Sequence, residues 1–290
     1  MKKDCIIIEG VKFSSPVIIA SCPLTENKNN ILKCAKEGAG GVVLKTAAMY
    51  QRSGECEPRK ILQGINGYWA QSNFEREILT LKEAVELING VRGCVDIPII
   101  ASVAAEDLSV HKWVSVCKQV EEAGVDMVQL DFFYMPDLTV QTDARERLSY
   151  LLSQLKREIS IPIVPKININ LPADFIFPIL IKSDIHTVSL LDSVKVPLVK
   201  EWVEKQDWEK NILTNEGTSF FGGWQLPLSL HFLMEALKHE LTVIGGGGIQ
   251  SVKDAQIMLN LGASLIQIAS VAMFGRWGEI AKLREGVTVH

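Results

Sequence analysis

The chain has 290 residues, of which 47% are hydrophobic and 22% charged, with a formal net charge of −4. These are ordinary values for a globular protein with a substantial core, and the dispersed Lys and Arg form no basic stripe of the kind that binds nucleic acid. The opening Met1-Lys2-Lys3-Asp4-Cys5 leads into a brief apolar run broken by Glu9-Gly10, too short for a signal peptide or a membrane span, so a cytoplasmic location is expected.

Apolar, β-branched runs without helical period occur at Val17–Ala20, Gly41–Leu44, Ile99–Ser102, Met127–Leu130, Ile163–Lys166, Thr187–Leu190, Leu241–Ile244 and Leu265–Ile268. Amphipathic stretches of helical length lie between several of them, at Ser109–Ala123, Ala144–Glu158 and Ser251–Leu261. Glu37-Gly38-Ala39-Gly40-Gly41 and Glu121-Glu122-Ala123-Gly124-Val125-Asp126 each end a helix with glycine and re-enter a strand. Fully apolar strands alternating with helices predict a parallel sheet covered by helices, and eight of them predict an α/β fold of the (β/α)8 TIM-barrel class. The length is near the roughly 250 residues typical of that barrel, so residues 1–290 are read as one domain. Two long excursions, Ala47–Pro98 and Asp192–Glu240, leave the C-terminal ends of the second and sixth strands. They are expected to fold over the barrel mouth as a lid, a substrate wall or a subunit contact.

The tail is the most specific local signal. Val243-Ile244-Gly245-Gly246-Gly247-Gly248-Ile249 and Gly262-Ala263-Ser264-Leu265-Ile266-Gln267-Ile268-Ala269-Ser270 each read as a strand that empties into small residues and then a helix. Such junctions expose backbone N–H groups to an anion, and in this barrel a phosphate commonly sits after the seventh and eighth strands. The six cysteines, Cys5, Cys22, Cys34, Cys56, Cys94 and Cys117, contain no Cys-x-x-Cys pair, so no metal site or iron–sulfur cluster is expected. Cys34 and Cys117 fall on helical faces as small core residues, whereas Cys22 lies just beyond the first strand, where packing and reactive roles are both open.

Over nearly its whole length the chain resembles the dihydroorotate dehydrogenase family, its N-terminal part most closely the FMN-binding domain of dihydropyrimidine dehydrogenases. The residues that carry the resemblance appear in family order: Gly10-Val11-Lys12-Phe13-Ser14-Ser15-Pro16, Ala20-Ser21-Cys22-Pro23-Leu24-Thr25, Gly40-Gly41-Val42-Val43-Leu44-Lys45-Thr46, Glu57-Pro58-Arg59, Ala101-Ser102, Ala123-Gly124-Val125-Asp126, Pro165-Lys166, Gly222-Gly223-Trp224 and the glycine-rich tail. The resemblance implies an FMN cradle in which the backbone of Ala20 and Ser21 faces the isoalloxazine ring. Lys45, with Thr46 beside it, would contact the flavin or its ribityl chain, and Lys166 would lie near the N1–C2=O edge. Gly223, Gly246, Gly247, Gly248, Ala269 and Ser270 would hold the phosphate. A lone lysine at a strand end reads as a solvated rim charge, but two at opposite barrel positions with the phosphate loops intact favour the flavin. The resemblance also implies a homodimer.

The substrate side departs from the family. Its fourth strand ends in an Asn followed by a catalytic Cys or Ser and then by Pro and an Asn or His, whereas this chain has Leu130-Asp131-Phe132-Phe133-Tyr134-Met135-Pro136-Asp137. Asp131 replaces the asparagine, Asp137 stands where the second amide or imidazole is expected, and Tyr134 or Met135 takes the catalytic position. After the sixth strand the family's Asn-Thr or Asn-Ser becomes Asp192-Ser193. An amide donates and accepts, whereas an ionised carboxylate only accepts, so a substrate with donors or positive charge is expected in place of dihydroorotate. Asp131, its pKa lifted by Asp192, and Tyr134 are the candidate acid–base groups, although a tyrosine after two phenylalanines also reads as a packing anchor. Asn66 is a candidate substrate amide or a plain Asn66-Gly67 turn.

Three readings follow: an FMN-dependent oxidoreductase acting on a C–C or C–N bond of a small nitrogenous molecule, a catalytically silent FMN- or metabolite-binding homologue, and a flavin-free phosphate-binding barrel lyase or isomerase. Lys45 and Lys166 argue against the third. No nicotinamide-binding glycine fingerprint occurs outside the tail, so an NAD(P)H module would be a separate electron-transfer subunit, with fumarate or oxygen as alternative acceptors.

Overall fold

The computed structural model describes residues 5–49, 61–63, 68–71, 78–133, 143–195, 219–273 and 277–288. All eight apolar runs form strands: Val17–Ile19 (β1), Val42–Val43 (β2), Ile99–Ala104 (β3), Met127–Asp131 (β4), Ile163–Lys166 (β5), Thr187–Ser189 (β6), Thr242–Gly246 (β7) and Leu265–Ile268 (β8). Each pairs in parallel with the next, and β8 pairs with β1, so the sheet closes on itself. The expected (β/α)8 barrel is the fold. Closure leaves no edge strand in the barrel and brings the C-terminal ends of all eight strands to one rim.

The outer ring consists of Lys28–Lys36 (α1), Leu81–Val91 (α2), Val110–Glu122 (α3), Ala144–Glu158 (α4), Ala173–Lys182 (α5), Leu226–Lys238 (α6), Val252–Asn260 (α7) and Gly278–Gly286 (α8). Local chemistry sets several starts. Asn27 caps α1 by accepting from Asn30 N–H, Ser251 caps α7 by accepting from Asp254 N–H, and Thr80 and Glu83 form a reciprocal capping box on α2.

Ile6–Ile8 and Val11–Phe13 form an antiparallel hairpin that the sequence reading did not anticipate. Its two-residue turn, Glu9-Gly10, has φ of 49° and 83°, the left-handed pair that matches the twist of a tight hairpin. Ile8 and Phe13 are buried against Ile18, Val43, Ile100, Met127, Val164, Ile244 and Leu265, which point into the barrel and form a cluster separate from the one under the helices. Thr187 Oγ1, at the start of β6, donates to Glu9 Oε1 at 2.8 Å and ties the turn to the N-terminal rim. The hairpin therefore plugs the floor of the barrel.

The described residues of the two excursions include helices and strands. Ala47–Pro98 contains α2 and Asp192–Glu240 contains α6. Four of their described strands, Ile61–Gln63, Tyr68–Gln71, Ser219–Gly222 and Val194–Lys195, join in one antiparallel sheet that links the excursions, while Ala47–Ala48 and Leu79–Thr80 pair in parallel beside β3. No described helix is long and apolar enough to cross a membrane.

Phe13 is fully buried in the floor cluster, so Phe13→Ala is expected to cost about 3–5 kcal/mol of folding stability. Urea unfolding followed by circular dichroism reads this, and a loss below 1 kcal/mol would contradict the plug.

Candidate active site

Alternate residues of a strand share a face, so each strand carries one inward row from floor to rim. Along β4 that row is Met127, Gln129 and Asp131; along β5 it is Val164 and Lys166; along β8 it is Leu265 and Gln267. The barrel interior thus changes from hydrocarbon at the floor to amides and hydroxyls midway and charges at the rim. Gln129 Nε2 donates to Ser102 Oγ at 3.2 Å, between register partners on β4 and β3. Gln267 Nε2 donates to Ser189 Oγ at 2.7 Å and to the Leu190 carbonyl at 2.6 Å, while its buried Oε1 has no partner among the described residues.

A cleft opens above this layer at the C-terminal rim, its empty space about 920 Å³ including the side open to solvent. It brings together Ala20, Ser21, Lys45, Thr46, Asp131, Lys166, Asp192, Ser193, Gly247, Gly248, Ala269 and Ser270 from the sequence-predicted set. Gly246 and Gly223 do not line it. A side chain on Gly246 would overlap Gln267, so that glycine is needed for packing inside the barrel, while Gly223 lies against Gln250. Their neighbours Gly222, Gly247 and Gly248 face the cleft instead. Asn66, Tyr134 and Asp137 lie outside the described residues.

Asp131 and Lys166 are register partners at the ends of β4 and β5, and Asp192 follows β6. Lys166 Nζ stands 3.2 Å from Asp192 Oδ1, with the lysine side chain 6% and the aspartate 14% exposed. The Asp192 backbone is held on both sides: its N–H donates to the Ile167 carbonyl at 3.1 Å, and Gln225 Nε2 donates to its carbonyl. Asp192 Oδ1 also accepts from Ser193 N–H at 2.7 Å. Asp131 is 3% exposed; its Oδ1 accepts from Phe133 N–H at 3.0 Å and its Oδ2 from the Thr46 hydroxyl at 2.9 Å.

Burial raises the Asp131 pKa most and the Asp192 carboxylate raises it further, against Lys166, Phe133 N–H and the Thr46 hydroxyl, to about 6. For Lys166 burial acts to lower the pKa, but Asp192 and Asp131 outweigh it, and the net shift is upward. The ammonium is therefore held charged. Burial pushes the Cys22 thiol up despite the Leu24 N–H and the nearby Lys45, which favours the packing role for this cleft residue.

Sequence reasoning missed Gln225, Gln267 and Gly222. Gln225 opens the apolar run Leu226-Pro227-Leu228 and Gln267 interrupts Leu265–Ile268. An amide inside a buried strand or at the head of a buried helix marks a polar partner across the core, and this was the available signal.

A family model described as dihydroorotate dehydrogenase matches residues 5–288. The chain belongs to the dihydroorotate dehydrogenase family. It is similar to the catalytic subunit of dihydroorotate dehydrogenase B (NAD(+)) of Thermoplasma acidophilum, 26% identical over 275 residues covering 91% of this chain and 85% of that protein. It is 24% identical over 295 residues to the NAD-dependent dihydropyrimidine dehydrogenase subunit PreA of Escherichia coli K12, covering 91% of this chain and 67% of that protein. The catalytic subunit of dihydroorotate dehydrogenase B from Thermococcus kodakarensis is 23% identical over 98% of this chain and 92% of its own length.

Members of the dihydroorotate dehydrogenase family bind FMN, and the cleft fits that cofactor. Gly247 and Gly248 have φ of 87° and 91°, and a side chain on Gly248 would overlap the Leu226 backbone, so only glycine leaves the backbone open there. Ser270 Oγ accepts from Gln250 Nε2 at 2.7 Å, which leaves its own hydrogen for an anion. Across the cleft, Lys166 supplies the positive charge that suits a flavin's electron-rich edge.

A raised carboxyl pKa makes ionised Asp131 a cost to the fold. With an unfolded value near 4 and a folded value of about 6, stability falls by about 3 kcal/mol as pH rises from roughly 4 to 6, then stays level above it. Denaturant unfolding of wild type and Asp131→Asn across this range is expected to show that decline in the difference between them; a difference independent of pH would contradict the assignment.

Proposed function

We propose that the chain is an FMN-dependent oxidoreductase that moves hydride to or from a C–C or C–N bond of a small nitrogen-containing metabolite, and that dihydroorotate is not its substrate. Membership of an oxidoreductase family supports the enzymatic reading over that of a silent homologue. FMN, when bound, supplies a two-electron hydride acceptor. Ala20, Ser21, Lys45, Thr46 and Lys166 would hold its ring and ribityl chain, and Gly247, Gly248, Ala269 and Ser270 its phosphate.

The observation that carries the substrate assignment is the acidic rim beside Lys166. Asp131 and Asp192 stand where the family has amides, and Lys166 is already paired with Asp192. A carboxylate entering here would meet carboxylate oxygens and compete for an ammonium that has a partner. Among the described residues no donor is bonded to Asp192 Oδ2, so a substrate N–H finds an acceptor ready. Asp131 acts as the acid–base residue: a carboxyl with a pKa of about 6 both takes and returns a proton near neutrality. Lys166 remains charged and opposes the build-up of negative charge during transfer. Relatives named as NAD-linked subunits support a separate electron-transfer partner for this chain as well.

The test is Asp192→Asn, which restores the family's amide. Titration of orotate into FMN-loaded protein, read by the flavin absorption, is expected to give at least tenfold tighter binding to the variant, since one close like-charge contact is worth about 1.4 kcal/mol or more. Orotate binding as tightly to wild type as to the variant would overturn the substrate assignment.

A further inference from the structure

Thr46 Oγ1 stands at a junction of three oxygens: Asp131 Oδ2 at 2.9 Å, Ser102 Oγ at 3.0 Å and Ser21 Oγ at 3.1 Å. A hydroxyl has one hydrogen to give and two lone pairs to receive with, so the protonation of Asp131 dictates the direction of every bond at this junction. When Asp131 is ionised it only accepts; Thr46 donates to it, and both serines turn their hydrogens to Thr46. Ser21 Oγ also accepts from Thr46 N–H at 3.1 Å, and in this state its hydrogen is held away from the cleft.

When Asp131 is protonated, the hydrogen sits on Oδ2, because Oδ1 already accepts from Phe133 N–H. Oδ2 then donates to Thr46, which must turn its own hydrogen to a serine. Ser102 is buried and already accepts from Gln129, whereas Ser21 lines the cleft and is free to point its displaced hydrogen at a ligand. The chain of bonds has a dead end at Ser102 and an outlet at Ser21.

We propose that Asp131, Thr46 and Ser21 form a proton path whose outlet is the Ser21 hydroxyl on the cleft wall. This rests on the reading of Asp131 as the acid–base residue and adds Thr46 and Ser21 as the groups that carry its proton to the bound flavin or substrate. In delivery, the Asp131 Oδ2–H bond breaks as a Thr46 Oγ1–H bond forms, the original Thr46 hydrogen passes to Ser21, and the original Ser21 hydrogen passes to a basic ligand atom. No electrons are transferred. Asp131 is left ionised beside Lys166, and the ligand gains one positive charge; the reverse order returns the proton. Among the described residues, the other titratable groups facing Asp131 are Lys166 on β5, Asp192 after β6, Lys45 after β2 and the Cys22 thiol after β1. Lys166 stays charged and Cys22 stays protonated, and Asp131→Asn removes the carboxyl to which the change between pH 5 and 8 is assigned.

The test is a pH titration of the FMN-loaded protein between pH 5 and 8, read by the visible spectrum of the bound flavin, which responds to hydrogen bonds at its ring, and by the infrared carboxyl band of Asp131. Wild type and Thr46→Ser are expected to show a spectral transition with its midpoint near the carboxyl titration. Thr46→Val and Ser21→Ala are expected to lose the spectral transition while the carboxyl band still titrates, and Asp131→Asn to lose both. A flavin that titrates alike in wild type, Thr46→Val and Ser21→Ala, or not at all in wild type, overturns the path alone. A wild-type protein that takes up no FMN overturns the functional reading and the path with it.

Discussion

The hydrogen-bond register of the closed barrel is the constraint on which the site depends. Pairing Val128 with Ile163 on β4 and β5 necessarily pairs Asp131 with Lys166 three residues on, and pairing Met127 with Ile100 sets Gln129 beside Ser102. A slip of one residue would turn Asp131 and Gln129 outward among the helices and Leu130 into the cleft. The apolar floor, with its hairpin plug, opposes any such slip because the residues that fill it lie on the same inward rows as the charges above them.

The same geometry explains why the site tolerates two carboxylates, Asp131 buried and Asp192 partly so. Removing an ion from water costs several kcal/mol unless it is paired and its remaining lone pairs are filled. Lys166 and Ser193 N–H serve Asp192, whereas Thr46 and Phe133 N–H serve Asp131. What is left uncompensated appears as the raised Asp131 pKa, and in the proposed function this carboxyl serves in place of the cysteine or serine that the family has on the next loop.

The barrel was legible because most strands are apolar runs without helical period and helices α1 and α3 return through glycine, signals that depend only on local sequence. The tail glycines were legible for the same reason, whereas both lysines read alone as solvated rim charges and stood out only through the resemblance to the family. Neighbours in sequence were harder to separate: Gly246 and Gly247 read alike, yet one packs under Gln267 and the other faces the cleft, because the left-handed turn begins only at Gly247. Contacts across the barrel were invisible. Thr46 lies 85 residues from Asp131, and Gln225 lies 33 from the Asp192 carbonyl it holds. The floor hairpin was missed because its Glu9-Gly10 turn was read only as the end of an apolar run.

We propose a flavin barrel whose acidic rim selects a nitrogenous substrate over an anionic pyrimidine. Its most direct test is the visible absorption of the purified, FMN-loaded protein, reduced with dithionite under anaerobic conditions and then mixed with orotate or with an uncharged, unsaturated nitrogen heterocycle bearing N–H donors. The flavin bands are expected to bleach on reduction and to recover with the heterocycle but not with orotate. Equal or faster recovery with orotate, or a colourless protein that takes up no FMN, would contradict the proposal.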